Sequence, residues 1–263
     1  MVLFIFFNSI GCSVEQWKKN PYDGSIKSTL INKIKKIGNV YLYNPIFYNF
    51  NSFDSQIVNS KYSEEYEFTI DSLNIEKHCE KLFEKVCELD SQFVLISHDL
   101  GFIFAHIFAT LYEKYVVGII NINGAYTKNW FKFWLDKDKM EYIKKIKNKE
   151  LNMLFENLKL GKKITETIKL LEYVVKYNLF KQYYKFCSDT NMSFDCEIMC
   201  FINTETQNNN NLEIIDKFNF CNKLNVSNSN VKIFNYLDKS NFIYFDIEKD
   251  IIDSIKNLIN NLE

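Results

Sequence analysis

Residues 93–125, FVLISHDLGFIFAHIFATLYEKYVVGIININGA, constrain this chain more than any other segment. Positions 93–97 read as a buried strand, 100–112 as a helix of mostly apolar residues, and 116–122 as a second strand. A strand, a helix and a strand in that order form the crossover that parallel pairing requires. Both strands are apolar at successive positions, so both faces of their sheet must be covered.

The rest of the chain repeats this alternation. Residues 2–7 read as a first strand, and Ser25 caps a helix with apolar positions Ile26, Leu30, Ile34 and Ile37, closed by Gly38. A strand at 40–43 precedes a polar, aromatic loop at 44–69. The next helix presents Ile75, Cys79, Leu82, Phe83, Val86 and Leu89 on one face. Further strands are expected at 197–202 and 231–237, and a closing amphipathic helix carries Ile247, Ile251, Ile252, Ile255, Leu258, Ile259 and Leu262. Residues 127–187 read as helix without strands. The expected organisation is therefore an α/β core at 1–126 and 188–263, with a mostly parallel sheet of about six strands, interrupted by a helical cap at 127–187.

Composition excludes several classes. With 263 residues, 47% hydrophobic, 25% charged and a net charge of -1, the chain is neither a disordered polymer nor a basic nucleic-acid binder. Its seven cysteines are scattered without a C-x-x-C pair, which favours a reduced, cytoplasmic setting over disulfides or zinc. Cys196 and Cys200 share a strand face and read as core. No metal or cofactor is expected. The opening MVLFIFF suits a first strand better than a signal peptide, and no run approaches the ~20 apolar residues of a membrane span. Asparagine is abundant throughout, as in AT-rich coding, so a single asparagine carries little information.

The turn between the two central strands is Ser97-His98-Asp99-Leu100-Gly101. It resembles the G-x-S-x-G nucleophile elbow of the α/β-hydrolase superfamily, with Ser97 for the first glycine and Asp99 for the serine. Asp99 corresponds to the nucleophile of the aspartate branch, which includes haloalkane dehalogenases and epoxide hydrolases. The simpler alternative is that Asp99 caps the helix that follows. The resemblance extends to residues 4–17, FIFFNSIGCSVEQW, which match the first core strand, the oxyanion loop and its tryptophan. It implies an oxyanion hole from the backbone N–H of Leu100 and one of Ser9 or Ile10. Residues 198–207, IMCFINTETQ, match the loop of the acid, which falls on Thr206 with Glu205 adjacent. Residues 234–259 match the loop of the base, which falls on Asn241. The stretch Asn241-Phe242-Ile243-Tyr244 is similar to one in the maspardin-like group, which also lacks the usual histidine but keeps a serine in its elbow.

Asparagine has no titratable nitrogen and cannot accept a proton from water or a nucleophile. His98, beside Asp99, is the remaining candidate base, although the family's side chain there turns away from the cleft. His78 and His106 read as structural. The resemblance therefore implies a catalytically degenerate protein, acting as a binding or scaffold module rather than an enzyme. The alternative is an active hydrolase of the ester, epoxide or haloalkane class with Asp99 as nucleophile. An aromatic cap, including Trp130, Trp134, Phe155 and Tyr177, packs on the core or lines a lipophilic pocket. Lys144, Lys145, Lys147 and Lys149 read as a solvated face. The two antiparallel strands that usually open the superfamily's sheet are not evident, which leaves an edge for a protein partner or a dimer to cover. The expected partners are such a protein or a lipophilic small molecule.

Overall fold

A computed structural model describes residues 2–8, 14–17, 30–43, 75–124, 182, 185, 194–204, 230–237 and 243–262. Its centre is a six-stranded sheet of β1 (Leu3–Phe7), β2 (Asn39–Tyr43), β3 (Phe93–His98), β4 (Val116–Ile122), β5 (Glu197–Thr204) and β6 (Val231–Leu237). The strand order is β2-β1-β3-β4-β5-β6, and all five pairings are parallel. The continuous apolar runs of β1 and β3 are buried at every position, as a sheet covered on both faces demands.

Alternation along each strand divides the core in two. Leu3, Ile5 and Phe7 of β1 join Phe93 and Leu95 of β3 on one face, packed beneath α2 (Ile75–Val86) and α3 (Phe102–Leu111). Phe4, Phe6, Val94 and Ile96 face the other way, toward α1 (Leu30–Ile34), α4 (Ile243–Asp246) and α5 (Glu248–Asn260). Lys33 of α1 donates to Glu248 of α5 at 2.6 Å, tying two helices of that second layer together.

The helix faces follow the periodicity with three corrections. Ile75, Cys79, Leu82 and Val86 are buried, but Leu89 lies beyond the end of α2 and is 43% exposed. Leu262 likewise lies past α5 and is 41% exposed. The helix read from Ser25 to Ile37 is described only from Leu30, and its regular part stops at Ile34. The expected loop at 44–69 and nearly all of the segment 127–187, expected as a helical cap, lie outside the described residues. Within that segment, Gln182 accepts a hydrogen bond from the Ile75 N–H at 3.4 Å.

The edge strands differ from the central ones. β2 and β6 are mostly half-buried, and Leu237 at the end of β6 is 58% exposed. Cys196 and Cys200 pack in the α2/α3 layer, as expected of core thiols, and burial pushes the Cys196 thiol up to about 12. Among the described residues no helix is long and apolar enough to cross a membrane.

Candidate active-site elbow

Parallel pairing brings the C-terminal ends of all six strands to one edge, where sheets of this kind place their ligands. β3 ends there with His98, and the chain reverses through a short turn, Asp99–Gly101, into α3. Asp99 has φ 49°, a left-handed conformation that costs an ordinary L-residue roughly 1–2 kcal/mol. Aspartate is one of the few side chains that tolerate it. Two glycines make the turn sterically feasible. A Cβ on Gly101 would lie 2.5 Å from the Phe7 carbonyl oxygen and 2.6 Å from that of Asn8. A Cβ on Gly124 would overlap the Asp99 carbonyl oxygen. The elbow is thus wedged between the end of β1 and the residues after β4. Asn123 also has positive φ, 53°, and its N–H donates to the Phe201 carbonyl at 2.7 Å.

The residue at the N-cap of α3 is Gly101, which has no side chain to offer the helix. Leu100 is buried within the turn. The two residues before Asp99 point to opposite sheet faces. Ser97 enters the α2/α3 layer and donates its hydroxyl to Asn121 Oδ1 at 2.6 Å, while Asn121 Nδ2 lies 3.0 Å from His106 Nε2. Phe102 and Phe194 flank the His106 ring, and burial lowers its pKa to about 3. His106 is therefore neutral in the folded protein across the physiological range.

His98 enters the opposite layer and is 3% exposed. Its ring meets those of Trp17 and Tyr244 edge-on, at 6.1 and 5.1 Å between centroids. Gln16 Nε2 lies 3.5 Å from His98 Nδ1, and the Tyr244 hydroxyl donates to the Gln16 carbonyl at 2.9 Å. His98 thus turns into the core, in line with the elbow resemblance. His78 sits on α2, in the layer that packs against α3 through the Cys79 thiol and the Phe104 carbonyl.

Among the expected site residues, Asp99, Leu100 and His98 are together at the elbow. Ser9, Ile10, Glu205, Thr206 and Asn241 lie outside the described residues. The strands they follow, β1, β5 and β6, end on the same edge as β3. Three residues bracing the elbow carry no sequence-based expectation, Gln16, Asn121 and Gly124, while Tyr244 is marked only by the resemblance of residues 241–244. Asn121 had a usable signal, since an amide in the middle of a buried strand must find partners.

No protein-family model and no curated protein matches the sequence. Solved structures do. An epoxide hydrolase from Vigna radiata superposes with a TM-score of 0.64 at 12% identity, covering 99% of this chain and 91% of that one. An epoxide hydrolase from Bacillus megaterium bound to an inhibitor gives 0.59 at 14% identity, covering 99% and 94%. The peroxisomal alpha-beta-hydrolase of Saccharomyces cerevisiae gives 0.56 at 11%, covering 99% and 77%. The chain has the α/β-hydrolase fold, with Asp99 at its elbow.

Proposed function

We propose that this protein is a catalytically degenerate member of the α/β-hydrolase superfamily, maspardin-like in its tail, that binds a lipophilic small molecule or a protein partner without turning it over. The observation that supports this reading is the fate of the imidazoles. The chain has only three histidines. His106 is neutral and bonded to Asn121, His98 is packed among Gln16, Trp17 and Tyr244, and His78 belongs to α2. An ester formed on Asp99 is released only when a base draws a proton from water. Asn241, at the expected base position, offers no titratable nitrogen. The half-exposed edge strand β2 is the surface proposed for a protein partner or a second copy, and the cap at 127–187 for an apolar ligand. The setting proposed is cytoplasmic. Assays with short-chain nitrophenyl esters, epoxides and haloalkanes are expected to show no turnover. Robust turnover that disappears in Asp99→Ala would overturn the proposal.

A second reading, an active hydrolase with Asp99 as nucleophile, is favoured by the retained left-handed geometry of Asp99 and by the epoxide hydrolases among the similar structures. Asp99 would attack an electrophilic carbon as its C–O or C–halogen bond breaks and the oxygen or halide departs, and His98 would have to leave its aromatic surroundings to activate the water that releases the resulting ester. Mass spectrometry under turnover conditions should then find an adduct on the Asp99 peptide. An unmodified peptide alongside measurable product would exclude it. Gain of activity in Asn241→His would identify position 241 as the vacated base site.

A further inference from the structure

We infer that Ser97, Asn121 and His106 form a buried clasp that positions Asp99, with His106 held as the tautomer protonated on Nδ1. The inference rests on the elbow being the functional centre, but it concerns how the elbow is held rather than what it does. A left-handed non-glycine residue persists only where its surroundings over-determine the backbone. Three chain segments meet at Asp99: β3 enters the elbow, α3 leaves it, and the end of β4 abuts it through Gly124 and the Asp99 carbonyl. The clasp takes one residue from each. Ser97 is two positions before Asp99 on β3, His106 is on α3, and Asn121 is on β4, three positions before Gly124.

Of the two acceptors within reach of the Ser97 hydroxyl, Asn121 Oδ1 at 2.6 Å is nearer than the Ile120 carbonyl oxygen at 3.5 Å, and that preference sets the arrangement. Ser97 donates to Asn121 Oδ1 at 2.6 Å, so the amide nitrogen faces His106 Nε2 at 3.0 Å. An amide nitrogen donates and does not accept, so Nε2 must be the bare nitrogen and the imidazole proton must sit on Nδ1. All three side chains are within 1% of full burial, where water cannot substitute for a lost partner. The amide thereby joins the entering strand to the departing helix, and β4 carries both the amide and the abutting glycine. Asn121 and His106 are positioning residues in this scheme, acting on Asp99 through the backbone.

Heteronuclear NMR of the full chain tests this without a ligand or turnover. In the wild-type protein at neutral pH, the His106 ring should show a bare Nε2 and a protonated Nδ1; the opposite tautomer overturns the inference. In Asn121→Leu the Asp99 amide and Cα resonances should shift more than in Ile119→Val, a buried truncation on the same strand. Equal shifts in the two variants overturn it. If Asn121→Leu does not fold, Ser97→Ala serves the same comparison. Asn121→Asp provides the rescue: its ionised carboxylate accepts both from Ser97 and from a proton on His106 Nε2. The tautomer should switch while the Asp99 resonances stay near their wild-type positions; displaced Asp99 resonances would count against the clasp.

Discussion

The two flanks of the elbow brace the same residue by different physics. On the α2/α3 side, Ser97, Asn121 and His106 form a hydrogen-bonded chain inside an otherwise apolar layer. On the α1/α5 side, His98 is enclosed by Trp17 and Tyr244, with Gln16 at its nitrogen. Successive residues of one strand therefore lead into a directional polar brace and a large, non-directional aromatic one. Aromatic burial contributes stability in proportion to area, whereas the amide chain specifies geometry and links the fold to pH. Two histidines in one chain thus differ in emphasis: both lie against aromatic rings, but His98 has only a long 3.5 Å contact to Gln16, whereas His106 holds a 3.0 Å contact to Asn121 and is kept neutral.

The largest effect should come from the aromatic flank. Trp17 is 1% exposed and packs on Phe6 and Tyr244 at 5.0 and 4.7 Å between centroids. Trp17→Ala is expected to cost about 3–5 kcal/mol in urea unfolding. A loss no greater than that of Ser97→Ala, about 1–3 kcal/mol for the orphaned amide oxygen, would break the contrast between the flanks.

The polar flank should carry the pH dependence. The folded His106 pKa is about 3, below the ~6.5 of a free imidazole. Below ~6.5 the unfolded chain therefore takes up a proton that the native state refuses, and stability falls as pH falls toward 3, by roughly 1.4 kcal/mol per unit. Above ~6.5 both states are neutral and the effect vanishes. Unfolding free energies measured at about pH 7 and pH 5 should differ less in His106→Gln than in the wild-type protein. Identical pH slopes would show that this imidazole is not the buried acceptor described.

Smaller effects sharpen the view of what both flanks hold in place. In Gly101→Ala the new methyl meets the carbonyls of Phe7 and Asn8, which belong to the backbone and cannot swing aside. A loss of about 1–3 kcal/mol is expected by thermal unfolding. Asp99→Gly should act in the opposite direction, since glycine adopts φ 49° without the side-chain penalty. A gain of up to about 1 kcal/mol is expected, and a loss would mean that the Asp99 side chain itself stabilises the elbow.

Much of the scaffold was legible in order. Continuous apolar runs in β1 and β3 required a sheet covered on both faces, and the strand-helix-strand order at 93–122 required parallel pairing. Periodicity placed the buried face of α2 but carried it too far, because it cannot register that α2 ends at Val86 and leaves Leu89 in solvent. The turn was legible from five consecutive residues, Ser97 to Gly101, because a sharp strand-to-helix reversal with a glycine two positions after its tip is a local requirement. Asn121 carried only a general signal, that an amide within a buried strand needs partners; which partners it finds on other elements was not legible, and its residue type is common in this chain.

What the sequence determined by itself was everything set by neighbours in the chain: strand and helix periods, the parallel order, and an aspartate at the tip of a strand-to-helix turn. Tertiary structure alone decided how that aspartate is held. Gln16 meets His98 across 82 positions, and Tyr244 reaches back to Gln16 across 228. Such contacts leave no mark in local patterns, because the sheet first has to bring the ends of β1, β3 and β4 to one edge. Only then do Gly124, Asn121 and the aromatic ring cluster acquire a common purpose, to hold Asp99 in a backbone conformation that an unfolded chain visits only as a minor population.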